Sequence, residues 1–184
     1  MKRIIFFLGI LLSALGTNAQ CPLTNTAFQS GEKLNYELYF NWKFVWVKAG
    51  TATFTTTTID YQGQKALKSH LITRTSTKLD KFFCMRDTLS ATFTTDNIPL
   101  CYRKGAYEGK KYRVDEVEYS YPNGKTHLKQ SYRNPEGKVT HGQRDFTDCV
   151  YDMISMMQRA RSFQISQFEK SKRMQFWLAD GDEV

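Results

Sequence analysis

Apolar and polar side chains alternate at every second position through most of this chain, in short runs divided at roughly ten-residue spacing by turn-forming residues. A period of two puts one set of side chains on each face of a strand, so the pattern calls for an antiparallel sheet with one wet face. From Lys33 to Phe40, Leu34, Tyr36, Leu38 and Phe40 alternate with Lys33, Asn35, Glu37 and Tyr39. Trp42, Phe44 and Trp46 continue an aromatic face, and Ala49-Gly50 marks a bend. Thr51 to Asp60 is threonine-rich, and β-branched residues favour the extended backbone. Tyr61-Gln62-Gly63 turns the chain into Lys65–Arg74, and further strands are expected at Cys84–Phe93, Leu100–Lys104, Lys111–Tyr121 and Lys125–Arg133. Asn123-Gly124 is the strongest hairpin signal. The expected fold is mainly β: an antiparallel meander curling into a barrel or half-barrel.

One segment departs from that period. Between residues 147 and 162, Val150, Met153, Ile154, Met157 and Ala160 fall at three- and four-residue steps, which predicts an amphipathic helix capped by Thr147 or Asp148, with Arg159 and Arg161 at its negative end. Near the C-terminus Met174, Phe176 and Leu178 alternate with Arg173, Gln175 and Trp177 before an Asp180-Gly181 turn. Only three residues follow, so a returning strand is missing, and residues 20–184 are expected to form a single β-rich domain incomplete at its C-terminus; a terminal strand that pairs elsewhere in the sheet is the alternative.

The other end carries an export signal. Lys2-Arg3 precede an apolar run from Ile4 to Leu15, and Thr17 and Ala19 supply the small residues of a cleavage site, so residues 1–19 are expected to be a signal peptide. A run of about 12 residues spans about 18 Å, too little for a hydrocarbon core of about 30 Å. Cleavage removes two cations and no acid, lowering the formal charge from +8 to +6. Cys21 stands where a lipid-modified cysteine would stand, but Gln20 is not the small residue that processing wants, so a soluble start at Gln20 is preferred. The expected location is periplasmic or associated with an outer membrane. Four cysteines in an oxidising compartment allow three complete pairings. Cys84 and Cys101 flank a turn at Thr95–Pro99 and are candidates to face each other across two strands; buried thiols that never pair are the alternative.

Chemistry is sparse. The chain is 41% hydrophobic and 24% charged, which excludes a disordered polyelectrolyte. It contains no GxSxG, GxxxxGK, GxGxxG, HExxH or CxxC motif. No cofactor or metal is expected: His70, His127 and His141 lack ligand spacing, and Asp145, Asp148 and Asp152 suit dipole capping better than calcium. Arg86 and Asp87 adjoin in a strand and point to opposite faces, so the inward one needs a partner, either an ion-pair mate or a ligand head group. Arg103, Lys104, Lys110, Lys111 and Arg113 form a basic cluster around Gly105 and Gly109 that suits anionic polymers or lipid head groups if it is more than a solvated hairpin. Trp42, Phe44 and Trp46, with Tyr36 and Phe40, are expected to pack in the core, the alternative being a ligand pocket. Nucleic acid fits the basic charge but not the export signal, and no transmembrane span is expected in the mature chain.

Several fragments are familiar. Ser30-Gly31-Glu32-Lys33-Leu34-Asn35-Tyr36, Phe44-Val45-Trp46-Val47-Lys48-Ala49-Gly50, Arg86-Asp87, Ile98-Pro99-Leu100, Tyr107-Glu108-Gly109 and Val150-Tyr151-Asp152-Met153-Ile154-Ser155 resemble the exported bacterial family filed as domain of unknown function 3108. With the Asn18-Ala19-Gln20 region the resemblance points to an envelope protein of Bacteroidetes type. It implies a mainly β, barrel-like fold and an exported location, and it brings no catalytic residues. Three readings follow: a non-enzymatic envelope protein binding a lipid-like or polysaccharide ligand; a module contacting another envelope protein through its sheet edge or basic loops; and a hydrolase of envelope polymers using Asp87, Glu108 and Asp152. The first is preferred.

Overall fold

The computed structural model describes residues 21–164, 166 and 175–181, apart from the side chain of Trp42. The expected signal peptide, Arg173 and Met174 lie outside the described residues. Eight strands follow one another in the chain: β1 (Lys33–Trp42), β2 (Val45–Tyr61), β3 (Gln64–Thr75), β4 (Met85–Thr94), β5 (Pro99–Glu108), β6 (Lys111–Ser120), β7 (Thr126–Arg133) and β8 (Val139–Phe146). Their order in space equals their order in sequence, each antiparallel to the next, and β1 and β8 are the two edges of an unclosed sheet. This is the expected meander in its open, half-barrel form. The Asn123-Gly124 signal holds: both residues take positive φ (53° and 73°), which suits the reversal between β6 and β7.

Register explains the core. Reading cross-strand partners on one face gives rows of side chains perpendicular to the strands. One row runs Thr56, Ser69, Ala91, Tyr102, Val117, Gln130, and its neighbour runs Leu67, Phe93 and then Tyr119, Leu128. All of these side chains are buried. The opposite face carries Thr51, Thr53, Lys68, His70, Ser90, Arg103, Glu116 and Lys129, a solvated surface of threonines and charges.

The buried rows are covered by a short strand β9 (Val150–Tyr151), the helix α1 (Met153–Arg161), and a final strand β10 (Trp177–Leu178) that runs parallel to β9. The final strand is thus paired elsewhere, as the alternative reading had it, though with β9 rather than within the eight-stranded sheet. Residues 21–32 cross the same face at the helix end: Asn97 donates to the Leu23 carbonyl at 2.9 Å, and Phe28 packs edge-on against Phe93.

The helix begins later than expected, because Val150 and Tyr151 are extended and Asp152, not Thr147 or Asp148, is the cap: its carboxylate accepts from the Ser155 backbone N–H at 2.8 Å. Its buried side chains are Ile154, Ser155 and Gln158, whereas Met153 and Met157 are exposed. Gln158 replaces the expected apolar stripe because buried hydroxyls await it: its amide donates to Thr56 Oγ1 (2.9 Å) and Ser69 Oγ (3.0 Å), which also bond each other. Arg161 holds the far end, pairing with Glu32 and lying over the Phe28 ring.

Two further expectations are corrected. The chain continues through Ala49-Gly50 as one strand; the irregularity there is a register shift in β1 between Leu38 and Tyr39. The disulfide joins Cys21 to Cys149, with Cα atoms 6.0 Å apart, and Cys84 and Cys101 are free. Cys101 lies opposite Thr92 while Cys84 precedes Met85, whose partner is Glu108, so the two thiols sit at opposite ends of the β4–β5 ladder, roughly 25 Å apart and far beyond disulfide reach. With its sulfur bonded to Cys149, Cys21 has none to offer a lipid thioether.

Candidate functional site

Moving along the strands away from the helix, the helix face stays largely apolar on β1 to β3 and gains charge on β4 to β6. The next rows run Leu34, Phe54, Leu71, Leu89, Lys104, Asp115, Tyr132 and then Tyr36, Ala52, Thr73, Asp87, Ala106, Arg113. Ala106, a methyl between two charged neighbours, leaves a depression. A hollow of about 460 Å³ opens there, lined by Ala106, Glu108, Lys111, Arg113, Tyr132 and the β7–β8 loop residues Asn134, Pro135 and Glu136. A larger hollow, about 600 Å³, is lined by residues Asn25 to Glu32, whose one carboxylate, Glu32, is tied to Arg161 of the helix.

Its charges are mixed and mostly tied. Arg113 faces Glu108 at 3.1 Å, and Lys104, its side chain only 13% exposed, reaches Asp180 at 3.1 Å. Asp87 lies next to Ala106 across the β4–β5 ladder, and its Oδ1 is buried with no hydrogen-bond partner. Burial raises the Asp87 carboxyl above the ordinary range, Glu108 pushes the same way, and the Tyr107 backbone, Lys104 and Arg113 oppose them. The wall therefore offers charged donors, charged acceptors and one aromatic ring, with the Asp87 carboxyl buried behind it.

The expected residues divide. Lys111 and Arg113 line this hollow with Glu108, while Asp87 lies buried beside Ala106 and Lys104 is turned to Asp180. Arg86 points off the other face, as strand geometry demands, and is held by Asp80, whose carboxyl the Arg86 hydrogen bonds keep below the usual range. Arg103 is on the opposite face, 3.1 Å from Glu116, and Lys110 stands exposed in the β5–β6 turn. The basic cluster is thus three separate groups, because a period of two splits consecutive residues between faces. Asp152 is buried beneath the helix start, where burial pushes its carboxyl up to about 6. It caps the helix, in a different row from Asp87 and Glu108, so the three carboxylates named for hydrolysis do not share a site.

The aromatic patch is not core. Phe44 is 97% exposed, Trp46 68% and Phe40 59%, with Tyr36 also exposed; the Trp42 side chain lies outside the described residues. Tyr36 lies on the edge strand opposite Ala52, and for Phe40, Phe44 and Trp46 the cause is strand length. Register stops β3 at Thr75 opposite Gly50, so Val45–Ala49 and their β1 partners extend beyond the sheet as a two-stranded ribbon. Tyr132, Ala106 and Asp180 were not anticipated. The first two share a face with Arg113 by register alone, which a correct strand pairing would have revealed; Asp180 arrives through tertiary packing.

Among the described residues no helix is long and apolar enough to cross a membrane. No curated protein and no solved structure matches the chain significantly. The model of a family described as "Protein of unknown function (DUF3108)" matches residues 35–184, from the first strand through the last, and the chain belongs to that family.

Proposed function

We propose that this is an exported envelope protein that binds a polysaccharide, without catalysing a reaction on it, in the helix-free half of its sheet. The hollow over Ala106 carries this reading. Its walls are hydrogen-bonding and charged with a single ring, Tyr132, which suits a hydroxyl-rich ligand offering donors and acceptors better than an acyl chain. Glu108 and Glu136 on the wall are acceptors for sugar hydroxyls, and Lys111 and Arg113 are donors. The Cys21–Cys149 disulfide supports an oxidising compartment, in keeping with the export signal.

The test is sedimentation of the protein with purified envelope polysaccharide. Retention is expected, and Arg113→Ala and Tyr132→Ala should each reduce it roughly tenfold while leaving the thermal transition in place. Absence of retention, or retention indifferent to both substitutions, would overturn the reading. A protein-interaction module is the second reading, favoured by β8, an edge strand exposed along nearly all its length. In that case a photo-crosslinking residue at position 141 would capture an envelope protein.

A further inference from the structure

In a meander, alternate connections emerge at the same end, so the β1–β2, β3–β4, β5–β6 and β7–β8 loops crowd one end of this sheet. Contacts between them agree: Ser76 N–H donates to Ala49, Gly109 N–H donates to Cys84, and the Phe83 ring lies 3.7 Å from where a Cβ on Gly109 would be. This end concentrates exposed apolar side chains. The ribbon reaches roughly 16 Å past β3 and ends in Phe44, flanked by Val45 and Trp46, while the β3–β4 loop presents Phe82, 86% exposed, and Phe83, 51% exposed. Among the described residues, the β2–β3, β4–β5 and β6–β7 turns at the opposite end expose no large apolar side chain.

Charge follows the same polarity. Lys43, Lys78, Lys81, Lys110, Lys111 and Lys138 are exposed on or beside these four loops, and none forms an ion pair among the described residues. The acids nearby are largely neutralised, Glu37 by Lys48, Asp80 by Arg86 and Glu108 by Arg113. Aromatic tips ringed by unpaired lysines match the layered chemistry of a bilayer surface, where rings seat among head groups and ammonium groups meet phosphates.

We propose that this end of the sheet docks on an anionic lipid bilayer, with the β1–β2 ribbon and Phe82–Phe83 entering the head-group layer and the six lysines holding the phosphates. Two separate loops insert, so the protein stands on the membrane with its strands steeply inclined to the surface. Lys111 and the β7–β8 loop border both this surface and the hollow over Ala106, but Arg113 and Tyr132 play no part here, so their substitution separates the two readings.

The experiment is co-sedimentation of the protein with vesicles of phosphatidylethanolamine and phosphatidylglycerol, against vesicles of phosphatidylcholine alone. Binding to the anionic vesicles is expected, weakened by added salt, with a blue shift of tryptophan emission that is smaller in Trp46→Ser, Trp42 on the same ribbon contributing the rest. Phe44→Ser with Trp46→Ser, Phe82→Ser with Phe83→Ser, and Lys78→Glu with Lys81→Glu and Lys110→Glu should each reduce binding roughly tenfold. All three variants alter exposed side chains and should keep the wild-type thermal transition. No binding, equal binding to both vesicle types, or binding that survives both aromatic variants would overturn the proposal. So would failure to bind vesicles together with self-association that Phe44→Ser abolishes, which would assign the end to a second copy of the chain.

Discussion

At Gly50 a Cβ would collide with the main-chain carbonyl of Arg74, which belongs to a hydrogen-bonded strand and has nowhere to go. At Gly105 the nearest obstacle is the Tyr112 hydroxyl, 2.8 Å away on a half-exposed side chain that can swing aside. Gly50→Ala should therefore lower unfolding free energy by about 2 kcal/mol or more, and Gly105→Ala by well under 1 kcal/mol. Urea denaturation of the pair checks this, and equal losses would contradict the backbone-contact argument. The sequence marks Gly50 as a break in the strand because Ala-Gly weakens β structure; the reason for glycine is the closeness of the next chain, which no single-strand pattern contains. Arg86 and Asp87 show the same division. Their opposite orientation was legible from strand geometry, but their surroundings come from a loop and from a third strand.

The elements themselves were largely legible where turn residues carry positive φ and where both faces of a strand differ. The helix was legible as a period and misread at its edges. Val150-Tyr151-Asp152 satisfies a helical spacing yet is extended, because pairing with β10 and the cap at Asp152 decide the boundary. That cap has a measurable signature. An ordinary Asp carboxyl titrates near 3.9, whereas burial moves Asp152 up to about 6. Between these values the folded protein holds a proton that the unfolded chain has released, so this group makes stability fall as pH rises from about 4 to 6. Asp152→Asn keeps a cap oxygen and removes the titration. The unfolding free energy of the wild type relative to that variant, from urea denaturation, should rise on acidification from pH 7 to 4 by an amount on the order of 2–3 kcal/mol. A difference constant with pH would show that Asp152 is ionised throughout. Glu32 acts in the opposite sense: the Arg161 hydrogen bond holds its carboxyl below the usual range, and the stability this provides is lost only as pH falls below about 4.

For the whole molecule, the meander was foreseen and its surface polarity was not. The same alternation of aromatic side chains describes a core strand or a ribbon standing clear of its neighbours, and only the relative lengths of β2 and β3 choose between them. The disulfide lay outside sequence reasoning for a similar reason, since it ties segments 128 residues apart that meet through packing of the N-terminal arm on the helix side. Closing so long a loop restrains the unfolded chain, and Cys21→Ser with Cys149→Ser should cost about 2–4 kcal/mol, read as a lower urea midpoint under non-reducing conditions. An unchanged midpoint would mean that the arm is held by its other contacts alone, among them Arg159 on the Cys21 carbonyl at 2.7 Å. The bond also joins the first and last of the four cysteines, passing over Cys84 and Cys101. A chain that emerges from its N-terminus presents Cys21 to both of these thiols before Cys149 exists to meet it. Correct pairing therefore depends on timing: either oxidation waits until the eight strands have formed and parted the wrong candidates, or an early mispairing must be exchanged.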